Sequence, residues 1–208
     1  MAGIPCATQS TFPANGILLV GRNDGLASPR EDVAGEFQVI ARDCGATLLP
    51  GVIVAVSFAN CTDSRVCNPQ TFPGLSVAGC PGGPAVVYAT TNELGVATFR
   101  ITGGAINSGN SPSADADCAE LRLEGVLLGT LTVASIDQNP GSPLNGYVAN
   151  DLSVAVSDVL DSPAEMDGRS DVNFNGQDQA NDLSLMLSLL LRPGNPSANN
   201  CGAASACP

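Results

Sequence analysis

The sequence predicts a mainly β protein with a small α-helical module in its C-terminal third, and three observations lead to this prediction. Up to about residue 136, apolar residues alternate with polar ones at period two, the pattern of half-buried strands. Gly (23) and Pro (15) are frequent and charged residues make up only 13%, a composition typical of turn-rich β proteins. Near residue 135 the apolar period changes from two to 3.6, which indicates helices.

The period-two region contains about seven short segments that we predict to be strands. Ala97, Phe99 and Ile101, for example, alternate with polar side chains, as a strand with one solvated face requires. The predicted strands are 17–20, 37–41, 52–58, 86–89, 97–102, 121–123 and 131–133. About seven strands separated by Gly- and Pro-rich turns are expected of an immunoglobulin-like (Ig-like) β-sandwich. Segments 60–84 and 103–117 are predicted to be long loops.

Composition excludes two kinds of partner. The net charge is −12, from 20 acidic and 8 basic residues, and the sequence has no Lys/Arg cluster. Because an acidic surface repels phosphate backbones, we predict no nucleic-acid partner. No run of 18 apolar residues is present, so no membrane span is predicted either.

Eight cysteines and no histidine indicate disulfides rather than a zinc site. Disulfides persist in oxidising compartments, and we therefore expect an extracellular or cell-surface protein. Cys61 and Cys67 are close enough in sequence to close a short loop, and Cys201 and Cys207 to pin the tail, although sequence alone does not fix the connectivity. Asn60 begins an Asn-Cys-Thr triplet, which predicts N-glycosylation.

A duplicated segment lies in the C-terminal third. Residues 149–157 (ANDLSVAVS) recur 31 residues later as 180–188 (ANDLSLMLS). Two copies of one loop–helix unit are the simplest explanation. Each predicted helix has about three turns and one apolar face, too little to bury itself, and we expect the two helices to pack on each other.

The second copy is preceded by a segment that matches a twelve-residue calcium loop, 171–182 (DVNFNGQDQAND). Ca²⁺ prefers six to eight oxygen ligands, and a tight loop supplies them by turning alternate side chains inward around a glycine at position 6. The predicted ligands are the side chains of Asp171, Asn173, Asn175 and Asp182, the carbonyl of Gln177, and Gln179 directly or through a water. The alternative interpretation is an Asx-rich turn before a helix.

The first copy has a less regular loop. Asp137 and Asn139 resemble loop positions 1 and 3, but 140–144 interrupts the spacing. Asp137, Asn139, Asp151 and the carbonyl of Tyr147 are therefore predicted to ligate an irregular second calcium site. The alternative is a vestigial loop that is held by packing and turns.

These residues resemble two known families. The paired units at about 136–194 resemble a type I dockerin, in which two calcium loops, typically ending in Asp, precede two antiparallel helices. That resemblance implies contacts with a cohesin partner through Asn150 or Asn181, with Ser153 and Ser184. Asp178 occupies loop position 8, where an apolar residue is usual. The segment 91–99 (TNELGVATF) resembles the T-(D/N)-x-x-G-x-A-T-F stretch of bacterial Ig-like (Big) domains, which implies a β-sandwich.

The predicted organisation is an Ig-like β-sandwich with disulfide-bearing loops (1–135), a dockerin-like loop–helix module (136–195) and a Cys-containing tail (196–208). Without histidine, Ser–His and Cys–His nucleophile pairs are absent, and few aromatic residues are available to bind sugars, which disfavours an enzyme or a carbohydrate-binding module. We expect a non-catalytic, secreted, calcium-binding structural protein that assembles with copies of itself, for example as a filament. The alternative is an appendage that anchors to a separate cohesin-bearing scaffold.

Overall fold

The structure, a computed structural model, describes residues 3–23, 30–31, 33–79, 84–105, 115–138, 147–161, 170–191 and 205–207. In this part of the chain the fold is mainly β with two α-helices, as the sequence predicted. The strands are β1 Gly16–Leu19, β2 Arg22–Asn23, β3 Arg30–Glu31, β4 Glu36–Ile40, β5 Ile53–Ser57, β6 Ser64–Asn68, β7 Ser76–Ala78, β8 Val86–Thr90, β9 Val96–Arg100, β10 Gly103–Ala105, β11 Ala119–Leu123, β12 Val126–Ser135 and β13 Ser205–Cys207. The helices are α1 Ala149–Asp161 and α2 Ala180–Leu190, and Val33–Gly35 forms a 3-10 turn.

The largest sheet has six strands in the order β1-β12-β11-β5-β8-β7. Its β1–β12 pair is parallel and its other pairs are antiparallel. Three smaller groups accompany it in the described part of the chain: β4 pairs with β9, β2 pairs with β3, and β6 lies between β10 and β13. The rings of Phe37 and Phe99 stack across the β4–β9 pair with centroids 4.9 Å apart.

The first core explains the period-two pattern, because the apolar side chains of successive strands point into it. Val54 and Val56 of β5 and Leu121 and Leu123 of β11 are fully buried there. All seven predicted strand segments overlap strands of the structure. The segments predicted to be long loops also contain short strands, β6, β7 and β10. These strands are polar or Gly-rich, and their pairing comes from distant neighbours such as Ala206 opposite Cys67.

Strand β1 separates this core from a second one. Ile17 and Leu19 point into the first core, whereas Leu18 and Val20, on the alternate positions, point into the second. The second core joins the far side of the sheet to the helices, and its buried members are Leu18, Val20, Ala134, Ile136, Tyr147, Ala155, Val172, Met186 and Leu189. The helices also pack on each other. They therefore bury one face against the sheet.

Two disulfides have both of their cysteines among the described residues, Cys6–Cys44 and Cys61–Cys118. The short Cys61–Cys67 bridge is therefore wrong. The chain brings Cys61 beside Cys118, with Cα atoms 4.8 Å apart, while Cys67 lies in β6 in a different disulfide. Cys201 lies outside the described residues, so the predicted bridge to Cys207 cannot be placed. Because disulfides persist in oxidising compartments, the chain is a non-cytoplasmic protein. In the described ranges, no helix has the length and apolarity needed to cross a membrane.

Candidate metal centre

The loop before α2 alternates in direction. Its odd positions carry the oxygen side chains of Asp171, Asn173 and Asn175, and its even positions carry Val172 and Phe174, which pack with the second core. Two residues of the loop have positive φ, Phe174 (58°) and Gly176 (84°), and Gly176 supplies the sharp turn that its position predicted. The loop therefore has a polar inner side and an apolar side that faces the sheet.

Hydrogen bonds hold the inner side chains in place. Asp171 Oδ1 and Oδ2 accept the backbone N–H groups of Asn175 (3.0 Å) and Gly176 (2.7 Å). Asn173 Oδ1 accepts the N–H of Asn175 (3.0 Å), and Asn175 Oδ1 accepts that of Gln177 (2.9 Å). Each oxygen has two lone pairs, and a single N–H occupies only one of them. The structure thus turns three predicted ligands back into the loop with acceptor capacity left.

Asp182 closes the loop from the first turn of α2. Its Oδ1 accepts the N–H of Asn173 (3.1 Å) and its Oδ2 that of Gln179 (3.0 Å), and the residue is 1% exposed. Burial raises the pKa of the Asp182 carboxyl; the bonds from Gln179 and Asn173 oppose this, and the charge of Asp171 adds to it. Two mutually repelling carboxylates thus lie near each other, which is the electrostatic situation that a divalent cation relieves.

The two remaining predicted ligands of this loop are glutamines nearer the surface. Gln177 is exposed and Gln179 half-buried, and Gln179 Nε2 donates to Gln177 Oε1. Asp178, at position 8, is fully buried.

The first copy repeats the clamp at the helix start. Asp151 Oδ1 accepts the N–H of Gln138 (2.6 Å) and Oδ2 that of Val148 (2.7 Å), as Asp182 does with Asn173 and Gln179. The carbonyl of Asp137 accepts the N–H of Ala105 (2.8 Å), which ties this residue to β10. Residues 139–146 are outside the described part of the chain, and the predicted ligand Asn139 is among them.

Tyr147, predicted to ligate through its carbonyl, is fully buried in the second core. Its hydroxyl donates to the carbonyl of Met186 in α2 (2.5 Å). Burial raises the pKa of the Tyr147 hydroxyl, and the charge of Asp151 adds to the effect. Tyr147 therefore joins the first unit to the second helix, a role that the sequence did not indicate.

Sequence reasoning also missed a buried polar network beneath the helices. Gln138 Nε2 donates to the carbonyl of Ser135 (3.0 Å), and Ser170 Oγ donates to Asp158 Oδ2 (2.5 Å) while lying 3.2 Å from Gln138 Oε1. These polar side chains are at most 2% exposed. Because the surrounding sequence has the composition of a solvated helix and linker, nothing in it indicated that these polar side chains are buried.

The predicted partner-binding residues all lie at the surface: Asn150, Ser153, Asn181 and Ser184. Ser153 and Ser184 each donate to the carbonyl four residues earlier (3.2 and 2.7 Å). Each belongs to an exposed face, and the 31-residue repeat relates these two repeat faces position by position. Face 1 is Ser153, Val156, Ser157 and Leu160, and face 2 is Ser184, Leu187, Ser188 and Leu191. Asn60, the predicted glycosylation site, is exposed as well.

The exposures of the two repeat faces agree. Val156 and Leu187 are 37% and 42% exposed, and Leu160 and Leu191 are 75% and 72% exposed. The fold thus presents two similar apolar faces to solvent.

The calcium-type loop also meets the sheet directly. Asn15 Nδ2 donates to the carbonyl of Phe174 (3.0 Å), and the Phe174 ring occupies the space that a Cβ at Gly16 would fill. A cavity of about 260 Å³ lies beside this contact, lined by Ala14, Asn15, Asp117, Thr132, Asp171, Phe174, Asn175 and Gly176. The loop therefore forms a direct contact between the sheet and the loop–helix module.

A second group of ligand-type side chains lies in the sandwich. Cys61, Asp115 and Cys118 have ligand atoms within 4.8 Å of one another, but the two sulfurs form a disulfide and are not available as thiolates. Asp115 instead accepts the N–H groups of Thr62 (3.2 Å) and Asp63 (3.3 Å) and the hydroxyl of Ser64 (2.7 Å). Burial raises the pKa of this carboxyl, and the bond from Ser64 opposes the shift.

No family model matches the chain, and comparison with curated proteins and with solved structures likewise found no match.

Proposed function

We propose that the chain is a non-catalytic, extracellular, calcium-binding structural protein that assembles through protein–protein contacts. In this proposal the β part is an Ig-like sandwich, and the C-terminal third is a dockerin-like module whose second loop binds Ca²⁺. The two disulfides support an extracellular location, and the surface residues of the helices support a docking role.

One observation carries the calcium assignment. Asp171, Asn173, Asn175 and Asp182 belong to one hydrogen-bonded loop, and their oxygens accept the loop's own N–H groups from the inside. Asp171 and Asp182 are 4% and 1% exposed. Two buried carboxylates and several amide and carbonyl oxygens are the hard donor set that Ca²⁺ prefers. Asp151 supports a second site only by its equivalent position.

Calorimetric titration of the chelator-treated chain with Ca²⁺ tests this assignment. We expect one site in the wild type that is lost in Asp182→Ala. Glu93→Gln, which removes one exposed negative charge far from the loop in sequence, is the control and should bind like the wild type. Equal binding by wild type and Asp182→Ala, or no binding by the wild type, would refute the loop as a calcium site.

Self-association is the role we favour for the assembled protein. The described helices expose uncharged Ser, Val and Leu on a chain of net charge −12, and uncharged faces are where two acidic copies approach at least electrostatic cost. Light scattering with and without Ca²⁺ measures this. Concentration-dependent growth in mass in Ca²⁺ supports the proposal, and a strictly monomeric chain contradicts it.

The alternative is a docking appendage that binds a separate cohesin-like β-sandwich. The equal exposure of the two repeat faces favours it, because a partner that recognises Ser, an apolar residue and Leu finds the same chemistry on each helix. Capture of a purified cohesin by a monomeric chain, blocked by chelation, would select this alternative over self-association.

A further inference from the structure

The apolar side of the calcium-type loop packs on a specific part of the sheet. Val172 is 3% exposed in the second core, and Phe174 packs against the same cluster. On the sheet, this core is formed by Leu18 and Val20, which point away from the sandwich interior, and by Ala134 of β12. We call Leu18, Val20 and Ala134 the seat.

The contact between loop and sheet is shaped on both sides. Gly16 leaves the space that the Phe174 ring fills, and a Cβ there would also lie 2.7 Å from the carbonyl of Thr132. Asn15 donates to the Phe174 carbonyl (3.0 Å), and the positive φ of Phe174 directs the ring out of the loop. Because odd and even positions share one short backbone, an ion that fixes Asp171 and Asn173 also fixes Val172 and Phe174.

The seat needs a cover. Its three residues are 6%, 0% and 0% exposed, and Met186 and Leu189 of α2 belong to the same buried cluster. If the loop loses its order, the seat becomes an apolar patch on the sheet, and such patches bind protein partners.

We propose that the seat is a calcium-controlled docking surface that accepts the loop–helix module of a second copy of this chain. This inference rests on the proposed calcium binding and names the contact for self-association. The second copy is the occupant that fits, because its module carries the residues that already fill the seat: Val172, Phe174, Met186 and Leu189.

Exchange of the module replaces contacts within one copy by the same contacts between two copies, so its energetic cost is low. Residues 139–146 join the sheet to the start of the helices and residues 192–204 join α2 to β13, so exchange of the module leaves β13 paired with β6. Each copy has one seat and one module. Exchange therefore either closes into a dimer or continues head to tail through many copies. Bound Ca²⁺ then stabilises each loop on the seat that it occupies.

A complementation experiment tests the exchange. Leu18→Asp places a charge in the seat but leaves Ile17 and Leu19, which face the first core, untouched. Phe174→Asp removes the ring by which the module packs on the sheet, but it leaves the seat intact. Each variant alone lacks a complete contact, whereas a mixed dimer contains one complete contact, formed by the module of the Leu18→Asp chain on the seat of the Phe174→Asp chain.

The two full-length variants are treated with chelator, mixed at equal concentration and returned to Ca²⁺, and native mass spectrometry is then recorded. We expect a mixed dimer of twice the 20.9 kDa chain mass, at least about tenfold more abundant than in either variant alone. Leu94→Asp mixed with Leu127→Asp is the control pair, since both residues are exposed and lie away from the seat, and it should behave like the wild type.

A mixture that stays monomeric in Ca²⁺ overturns the exchange, as does equal dimerisation of each variant by itself. If Leu18→Asp does not fold, labelled and unlabelled wild type are mixed instead. Mixed-label dimers that form in the wild type and are lost in Phe174→Asp then support the exchange, and their absence, or their persistence in Phe174→Asp, overturns it. Calcium titration of the wild type is scored separately, so a chain that binds Ca²⁺ without exchanging refutes this inference and leaves the proposed function standing.

Discussion

The two copies of the loop–helix unit share one clamp but differ in their loops. Asp151 and Asp182 both begin a helix, are at most 1% exposed and accept two backbone N–H groups. In the second loop, alternating side chains turn inward and Gly176 makes the sharp turn, whereas residues 139–146 of the first loop lie outside the described residues. The clamp is therefore common to both units, and in the sequence only the second unit has the regular spacing of a calcium loop.

The second loop also contacts the β part directly. Phe174 contacts Gly16 and Asn15 of the β part, whereas the first unit contacts its neighbours through Tyr147 and Gln138 inside the second core. Among the described residues the two units thus meet the β part at different places, the second at the start of β1 and the first at β10 and the end of β12. The similar sequences of the two helices did not indicate this difference, because it depends on the segments that precede them.

The largest effect that separates the copies is expected from the two clamps. Asp182→Ala should lower calcium affinity about 100-fold or more, since even residues behind the ligands change metal affinity about 10- to 100-fold. Asp151→Ala should leave calcium binding at the second loop within about threefold, yet destabilise the fold by about 2–4 kcal/mol, because two buried N–H groups lose a charged acceptor.

Calorimetry and urea unfolding of both variants in Ca²⁺ check this difference. Asp151→Asn, which keeps an acceptor oxygen, is the matched control and should recover part of the lost stability. If Asp151→Ala abolishes calcium binding as completely as Asp182→Ala, the first copy supplies a ligand to the ion, and the expected difference between the two clamps is wrong.

The next effect compares the two faces of β1. In Ca²⁺, Leu18→Ala and Leu19→Ala should each cost about 2–4 kcal/mol, since both side chains are buried. In chelator the cost of Leu19→Ala should persist, whereas that of Leu18→Ala should fall by at least about half, because the seat loses its cover. Equal costs in both conditions, measured by urea unfolding, would show that the ion does not control the seat.

The sequence predicted the strands because one-sided burial leaves a period-two record, as at Ala97, Phe99 and Ile101. It predicted the sharp turn at Gly176, because the calcium-loop spacing requires a residue that tolerates positive φ at position 6. It did not predict the partner of Cys61, since that pairing depends on β5 and β11 being neighbours in the sheet. The unbroken apolar run 17–20 was a signal of burial on both faces of β1, and alternation alone does not reveal it.

A smaller effect is expected at Asp115, which clamps a turn of the sandwich as Asp151 clamps a helix start. Its folded-state pKa is raised by burial, so the native state binds the proton more tightly than the unfolded state. The stability that this provides is present below the unfolded pKa of 3.8 and is lost as pH rises through the folded pKa.

Asp115→Asn should therefore gain stability relative to the wild type as pH rises from 4 to 7, and its net change at pH 7 should stay within about 1 kcal/mol. Asn retains an oxygen for the N–H groups of Thr62 and Asp63. Urea unfolding across this pH range, with the exposed-site variant Glu93→Gln as control, measures the difference. A constant gap between wild type and Asp115→Asn would contradict the raised pKa.

The smallest effect on stability, and the sharpest on assembly, is expected from the two repeat faces. Leu160→Asp and Leu191→Asp change residues that are 75% and 72% exposed, so each should alter unfolding free energy by about 0.5 kcal/mol or less. If the faces are equivalent contacts, either variant alone should weaken assembly about twofold, the statistical loss of one of two equal sites, and the double variant should abolish it.

Light scattering in Ca²⁺ distinguishes the outcomes. A double variant that remains monomeric assigns assembly to the repeat faces. A double variant that assembles like the wild type removes the faces from the contact and leaves the seat as the surface that joins the copies, because Leu18 and Val20 are untouched by these substitutions. Unequal losses of assembly in the two single variants would show that the two repeat faces are not equivalent contacts.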